Sequence, residues 1–450
     1  MKIQYVSICP TSLANELDCY ALTPELLAAT GARYSRNNEG LDAIVSKIDF
    51  SNTDKSVDGI FKMVDYGHAS IADMAPVALF IDDITLYAAY FLWTLSPTAG
   101  GQECSTRYIK MDSSNVASTD DLGIYDEYEQ QYDLYVAKSF NYYEEALKLW
   151  TKIGELHPEL TKIPSSLINS ESDKDKKQVA RMMRNFAFDR ARVYLPVSTL
   201  TGVMMIQSAR AWANLSAHLQ SHNLKELNLI GKEIEEKLKI GAPRLVRHCK
   251  STDAIKSYYD REFELWLSDY DLFNGTNLYA PPMTVTKKDL DFRTNRYSPF
   301  SSNLSRIPVK VSWSDMSFGE IRDLNRHRTG NKYCPFVPKG FYGAVDQLPN
   351  SDLPECNNLI NMHKRFESTT WDAQNIMKSN SEYVYYTSLG HQYLFEHTTT
   401  ADKFLYEMEL RTGVGAHYKY AEHCHKALEL WFHKYPQTKG IIFEGSAEPE

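Results

Sequence analysis

Paired cysteines are missing from this chain. Its seven cysteines, Cys9, Cys19, Cys104, Cys249, Cys334, Cys356 and Cys424, are odd in number and scattered. That spacing excludes a disulfide framework and fits a reducing compartment. No apolar run approaches the length of a membrane span, and Met1 to Cys9 lacks a basic-apolar-small leader pattern. A cytoplasmic protein with no membrane partner is expected. Gly-x-Gly-x-x-Gly and Walker loops are both absent. Positive charge is short as well, with 49 Lys and Arg against 58 Asp and Glu, a net charge of −9. Non-specific nucleic-acid binding is thereby disfavoured, and any anion site has to be local. Aromatic residues are plentiful, with 29 tyrosines, and 450 residues suffice for two or three domains with a substantial core.

The most suggestive short stretch runs from Gly101 to Tyr108. It places a carboxylate, a hydroxyl and a guanidinium at alternate positions, Glu103, Ser105 and Arg107, after a hydrophobic segment broken by Pro97. An arginine beside a hydroxyl donor on a glycine-led backbone suits a phosphate. A solvated loop with local hydrogen bonds explains the same residues.

Read in order, the chain begins with a short β-like run. Pro76 to Ile81 reads as a buried strand, and Ile84 to Leu95 as an apolar helix deep in the core. Ile124 to Gly154 has helical spacing. Pro158 to Lys177 reads as an exposed insertion, Arg190 to Pro196 as a strand, and Thr199 to Ser221 as a helix with Arg210 and Asn214 on one face. Gly241 to Asp289 is a connector. Pro308 to Trp313 then alternates like a strand, Ser317 to Arg326 reads as helix, and Arg326, His327 and Arg328 follow. Pro308 sits 232 residues after Pro76, and the helix carrying Arg210 can be laid on Ala401 to Arg411 at an offset of about 192. Two diverged copies of one unit, the second shortened in its middle, account for both offsets.

These residues resemble the flavin-dependent thymidylate synthases, whose signature joins Arg-His-Arg to a Glu-x-Ser-x-Arg-Tyr stretch. The first copy keeps only the second half, Glu103, Ser105, Arg107 and Tyr108, with Leu95, Ser96 and Pro97 where Arg-His-Arg would stand. The second copy keeps only Arg326, His327 and Arg328. His68, Ser70 and Asp73 are similar to the family's His-x-Ser-x-x-Glu. Arg192 to Pro196 resembles its Arg-x-x-Leu-Pro, Arg210 and Asn214 its Asn-Ala-Arg helix, and Leu410 with Arg411 its downstream Leu-Arg. The resemblance implies an α+β fold of two tandem thymidylate-synthase-like units, each a sheet with long helices, forming a pseudo-dimer. Residues 1–240 would be the first unit, with an insertion at about 157–178, residues 241–290 a linker, and residues 291–450 the second unit. Two such chains would pair as a homodimer of pseudo-dimers.

By the same resemblance, each copy supplies the half that the other lost. Glu103, Ser105, Arg107, Arg192 and Arg411 would bind a pyrimidine nucleotide, with Arg411 polarising the ring beside Asp323. Arg326, His327, Arg328, Arg210, Asn214, His68 and Ser70 would hold FAD. The implied reaction is reductive methylation of dUMP to dTMP with methylenetetrahydrofolate and NADPH, in nucleotide biosynthesis. Three departures leave room for other outcomes: Asp323 where the family has glutamine, Asn331 for a serine, and Ser208 for an asparagine. A flavoenzyme acting on another pyrimidine nucleotide is one alternative, and a non-catalytic nucleotide-binding assembly protein another.

Plainer readings exist for several residues. Arg326 to Arg328 fit a solvated basic helix end, and Glu407 with Arg411 an i, i+4 surface pair. Cys104 could be a nucleophile only if neighbouring arginine depressed its pKa. His417, His423, Cys424 and His425 suggest a metal, but positions 423 and 425 leave a helix on opposite sides, and no metal is expected.

Overall fold

Strand β1 (Lys2–Val6) pairs antiparallel with β2 (Pro76–Thr85), which pairs with β4 (Leu200–Ser208), which pairs with β3 (Gly100–Glu103). In the computed structural model, residues 1–6, 22–35, 41–62, 69–106, 111–269, 271–282, 284–413 and 415–445 are described. The chain packs as two compact units. The first comprises Met1–Cys104, Asn115–Asp126 and Ser198–Glu262; the second comprises Ser105–Ser114, Glu127–Val197 and Phe263–Glu450.

In the first unit, β2 turns Val77, Leu79 and Ile81 into the core and leaves Phe80 outside, the period of two that a pleated strand imposes. Thr85 ends the strand and caps the next helix, Leu86–Thr94, by accepting from the Ala88 amide at 2.9 Å. Glu226 holds that cap from below, accepting from both the amide and the hydroxyl of Thr85 at 2.8 Å. Residues Leu86 to Leu92 of the helix are all buried. At Gly101, on β3, φ is +151° and a Cβ would stand 1.9 Å from the Met204 carbonyl oxygen, so only glycine lets β3 lie so close to β4.

The second unit repeats the plan. Its sheet runs β5 (Thr276–Tyr279), β6 (Pro308–Ser317), β9 (His391–Thr400), β7 (Asn331–Tyr333), with β8 (Gly340–Phe341) also on β9. The registers are the decisive likeness. Pro76 faces Ser208 and Thr85 faces Leu200; Pro308 faces Thr400 and Ser317 faces Gln392. An offset of 232 on one strand (Pro76 to Pro308) and 192 on the other (Ser208 to Thr400) converts the first ladder into the second. The bulges match too, between Ile81 and Ile84 and between Trp313 and Met316. Within the second unit, Val197 donates to the Thr387 carbonyl and Leu389 to that of Leu195, both at 2.9 Å. That exchange joins segments again 192 apart.

Three sequence expectations change. Arg190 to Pro196 is no strand: helix Asp173–Ala191 runs to its start, and a 3-10 turn, Arg192–Tyr194, follows. The helix also takes up the end of the stretch read as an exposed insertion, where Pro158–Thr161 and Ser165–Ile168 form short helical turns. Leu200–Ser208 is a strand ahead of helix Ala209–Ser221. Its outward positions include Met204 and Ile206 beside inward Val203 and Met205, so both faces are apolar and the alternation is hidden. Among the described residues, no helix is long and apolar enough to cross a membrane.

Two buried ion pairs anchor the second unit. Arg293 meets Glu409 with two 2.7 Å bonds, both side chains wholly buried. Glu320, which caps helix Phe318–Leu324 through Ser317, meets His423 at 2.7 Å, and Asp315 lies 3.6 Å from the same ring. Burial alone would lower the pKa of His423, but the Glu320 and Asp315 carboxylates outweigh it and push it up to about 9. Burial would likewise raise the pKa of Glu320, yet His423 and Ser317 hold it below the ordinary value.

Arg293→Ala strands the Glu409 carboxylate in the core, and urea unfolding should show a loss of about 3–5 kcal/mol. A loss under about 1 kcal/mol would show that the pair is not buried as described. A histidine whose pKa is higher in the folded state contributes fully below its unfolded value of 6.5 and ever less as pH rises through about 9. The midpoint of urea unfolding should therefore decline over that window in the wild type, and His423→Gln should flatten the decline. An unchanged slope in the variant would refute the assignment.

Candidate functional site

The second unit gathers charge at one corner. Arg192, 3% exposed, donates from Nη2 to Asp323 Oδ2 at 3.1 Å and from Nη1 to Thr106 Oγ1 at 3.3 Å. Asp323, 5% exposed, stands near the end of helix Phe318–Leu324, where the Ser317 and Glu320 capping box starts the helix in register. Arg326 approaches the other Asp323 oxygen at 3.6 Å, its side chain half exposed. Ser105, partly buried, adjoins Thr106 in the chain.

A second layer lies around Arg411, the last residue of helix Ala401–Arg411. Its Nε donates to His327 Nε2 at 2.7 Å, and its guanidinium lies 5.5 Å from the centre of the Tyr420 ring. One turn earlier, Glu407 is buried and meets His397 Nδ1 at 2.8 Å. His397, on β9, donates from Nε2 to the Thr329 carbonyl at 2.7 Å. Lys332 Nζ donates to the main-chain carbonyl of His327. Burial holds the His327 pKa down to about 3, helped by the charges of Arg411, His397 and Lys332 and opposed by Glu407. For Glu407, burial acts to raise the pKa, but His397 and His327 bring it to about 2. Burial also lowers the pKa of half-buried Arg328.

The structure thus brings Arg192, Asp323, Arg326, His327 and Arg411 into one unit, with Ser105 at its edge and Arg328 beside His327 in the chain. Glu103 ends β3 of the first unit, partly buried. Arg210 also lies there, exposed and paired with Asp73 at 2.8 Å, and Ser208 donates to the same carboxylate at 3.3 Å. Ser70 opens the short helix that carries Asp73, and Asn214 is exposed one turn beyond Arg210. Arg107, Tyr108 and His68 lie outside the described residues. Glu407 is not the surface partner of Arg411 that the i, i+4 spacing allowed; it turns inward to His397. His397 and Lys332 carried no sequence signal, because their roles depend on β9 and β7 pairing His397 opposite Lys332. The three histidines weighed for a metal take separate partners: His423 takes Glu320, His425 takes Glu444 at 2.5 Å, and His417 faces the Asp189 carbonyl. Cys104 is exposed.

The offsets of the two ladders name the first-copy counterparts of this corner. Asp323 corresponds to Phe91, Arg411 to Leu219, Glu407 to Leu215 and His397 to Met205, all buried. One copy is charged where the other is hydrophobic.

Two matched α+β units, one with a corner where Arg192, Arg326 and Arg411 gather near Asp323, define a tandem protein. The sequence profile of the thymidylate synthase complementing proteins matches residues 17–244, half of the chain. The chain belongs to that family. It is 25% identical over 248 residues to a UPF0159 protein of Chlamydia pneumoniae, an alignment covering 51% of this chain and 46% of that one. It therefore spans about half the length of the chlamydial relatives that it matches. A UPF0159 protein of Thermoplasma acidophilum is 23% identical over 469 aligned positions, covering 91% of this chain and 93% of that one. Among solved structures, a UMP/dUMP methylase from Streptomyces cacaoi bound with 5-bromo-dUMP is matched at 14% identity and a TM-score of 0.32, over 55% of this chain and 93% of that one.

Proposed function

We propose that the chain is a flavin-dependent methylase that converts dUMP to dTMP. The methyl carbon comes from methylenetetrahydrofolate and the reducing hydride from NADPH with one proton, leaving tetrahydrofolate and NADP+. Family membership supports the reaction class. The observation that carries the reading to this chain is the set of three guanidinium groups, Arg192, Arg326 and Arg411, arranged near one buried carboxylate. Such an excess of fixed cations suits a ligand with a phosphate dianion and a ring that gains negative charge during reaction.

In this reading the phosphate takes Arg192, Ser105 and Arg107, with Glu103 close by in the chain. Arg411 polarises the pyrimidine carbonyl as charge develops on it. Asp323 orients Arg192 and presents an acceptor to the base. FAD suits the remaining cations in part. Arg326 and Arg328 can meet its diphosphate; Arg210, balanced by Asp73, belongs with Asn214 and Ser70 to the first unit. FAD, once reduced by NADPH, supplies the hydride. The His327 ring has its Nε2 taken by Arg411, which leaves only its Nδ1 side for a flavin contact. Asp323 favours a second reading. A carboxylate only accepts hydrogen bonds when ionised, so it would select a pyrimidine whose facing edge donates, and another pyrimidine nucleotide would then be the substrate.

Calorimetric titration should give one dUMP per chain. Arg107→Ala should weaken dUMP by about 1.5–3 kcal/mol, about 10- to 150-fold in Kd, while sparing FAD, and Arg328→Ala should do the reverse. Equal losses of the same ligand in both variants would refute this division. Tritium release from [5-3H]dUMP, in the presence of FAD, NADPH and methylenetetrahydrofolate, tests the chemistry. Release from labelled UMP or dCMP alone would favour the second reading, and release from none of them a non-catalytic nucleotide-binding protein.

A further inference from the structure

We propose that His327 is a positioning residue that aims the Arg411 guanidinium, and that it does so as a neutral hydrogen-bond acceptor rather than as a ligand contact. The inference rests on the reading above for what Arg411 meets, but the His327–Arg411 contact stands independently of it.

An arginine has no acceptor, so the 2.7 Å contact from Arg411 Nε requires a lone pair on His327 Nε2. The ring proton must then sit on Nδ1. The charged groups around the ring keep it in that state. Arg411 faces it from the end of helix Ala401–Arg411, His397 from β9 and Lys332 from β7, while Glu407 opposes them. A protonated ring would repel the group it holds.

The support beneath the pair is continuous. Thr329 fixes His397, His397 fixes Glu407 at 2.8 Å, and Lys332 ties the His327 carbonyl. Helix Ala401–Arg411 and the segment after helix Phe318–Leu324 are therefore joined through both side chains and backbone. With Nε engaged and Tyr420 at 5.5 Å, the guanidinium plane is set, and so is the line along which its Nη groups donate. A cation that stabilises developing charge has to be held in place beforehand, because reorienting it during the reaction forfeits much of its effect.

The first copy provides an independent observation. The counterparts of Arg411, Glu407 and His397 are Leu219, Leu215 and Met205. The buried supports are absent together with the arginine, as expected if they serve it. A set that merely stabilised the strand-to-helix corner would be of equal use to both copies.

The test compares His327→Ala with His327→Gln, whose side-chain carbonyl can still accept from Arg411. His327→Ala should weaken dUMP at least about tenfold and lower kcat, with FAD affinity within about twofold of wild type, and His327→Gln should recover most of the dUMP loss. FAD loss with intact dUMP binding, or a glutamine variant as impaired as the alanine one, would overturn the proposal. A ligand-free readout accompanies these: 15N NMR of labelled histidines, with His327 assigned from its variants. His327 should show an unprotonated Nε2 and no titration between about pH 5 and 8, where an ordinary histidine titrates. A ring that titrates near 6.5 would refute the acceptor role. If the wild type binds neither dUMP nor FAD, the function reading fails, and the histidine spectrum alone decides the His327–Arg411 contact.

Discussion

The contact between Arg192 and Asp323 is the constraint on which the site depends. Both side chains are nearly sealed from water, at 4% and 7% exposure. An ion pair taken out of solvent repays its desolvation only when geometry is good and further partners share the charge. Thr106 and Arg326 supply those partners. Arg192 comes from the turn that precedes β4, and Asp323 from the helix that follows β6. Their meeting therefore requires the segment Glu127–Val197 to pack with the later sheet, and the second unit does combine them. The reciprocal bonds of Val197 with Thr387 and of Leu389 with Leu195 fix that packing a few residues away.

Duplication explains the backbone, and divergence explains the chemistry. Both sheets have the same strand order, the same bulge and the same strand-to-helix corners. On that common frame one copy carries Asp323, His397, Glu407 and Arg411, and the other Phe91, Met205, Leu215 and Leu219. A buried charge without a partner is costly, so a charged set that has lost its ligand tends to be replaced by well-packed apolar residues. Hydrophobic residues at the first-copy positions are what a site released from function would become. The same physics lets the second unit keep Arg293 with Glu409, and Glu320 with His423, as closed pairs. Their first-copy counterparts at Glu409 and Glu320 are Ala217 and Ala88.

Much of this was legible in the sequence. Pro76 and Pro308, and the run from Arg210 against Ala401 to Arg411, gave offsets that the strand registers reproduce. The strand from Pro76 and the buried helix before Thr94 were visible as unbroken apolar runs, and the strand from Pro308 by its alternation. Leu200–Ser208 was not, since Met204 and Ile206 blur its alternation, and Arg190 to Pro196 reads as a strand ended by proline although helix Asp173–Ala191 runs into it. The residues of the charged corner were visible as types, but their partners were not. Glu407 lies four residues from Arg411 and should pair with it on spacing alone; only the β9 register shows that His397 claims it. Whether His327 faces a ligand or a neighbour is likewise a matter of tertiary packing.

A crystal structure of the protein soaked with 5-bromo-dUMP would test the central claim most directly, since bromine marks ring position by anomalous scattering. The account predicts one bromine per chain, beside Arg411, with the phosphate on Arg192. Bromine beside Leu219 in the first copy, or at both corners, would contradict it.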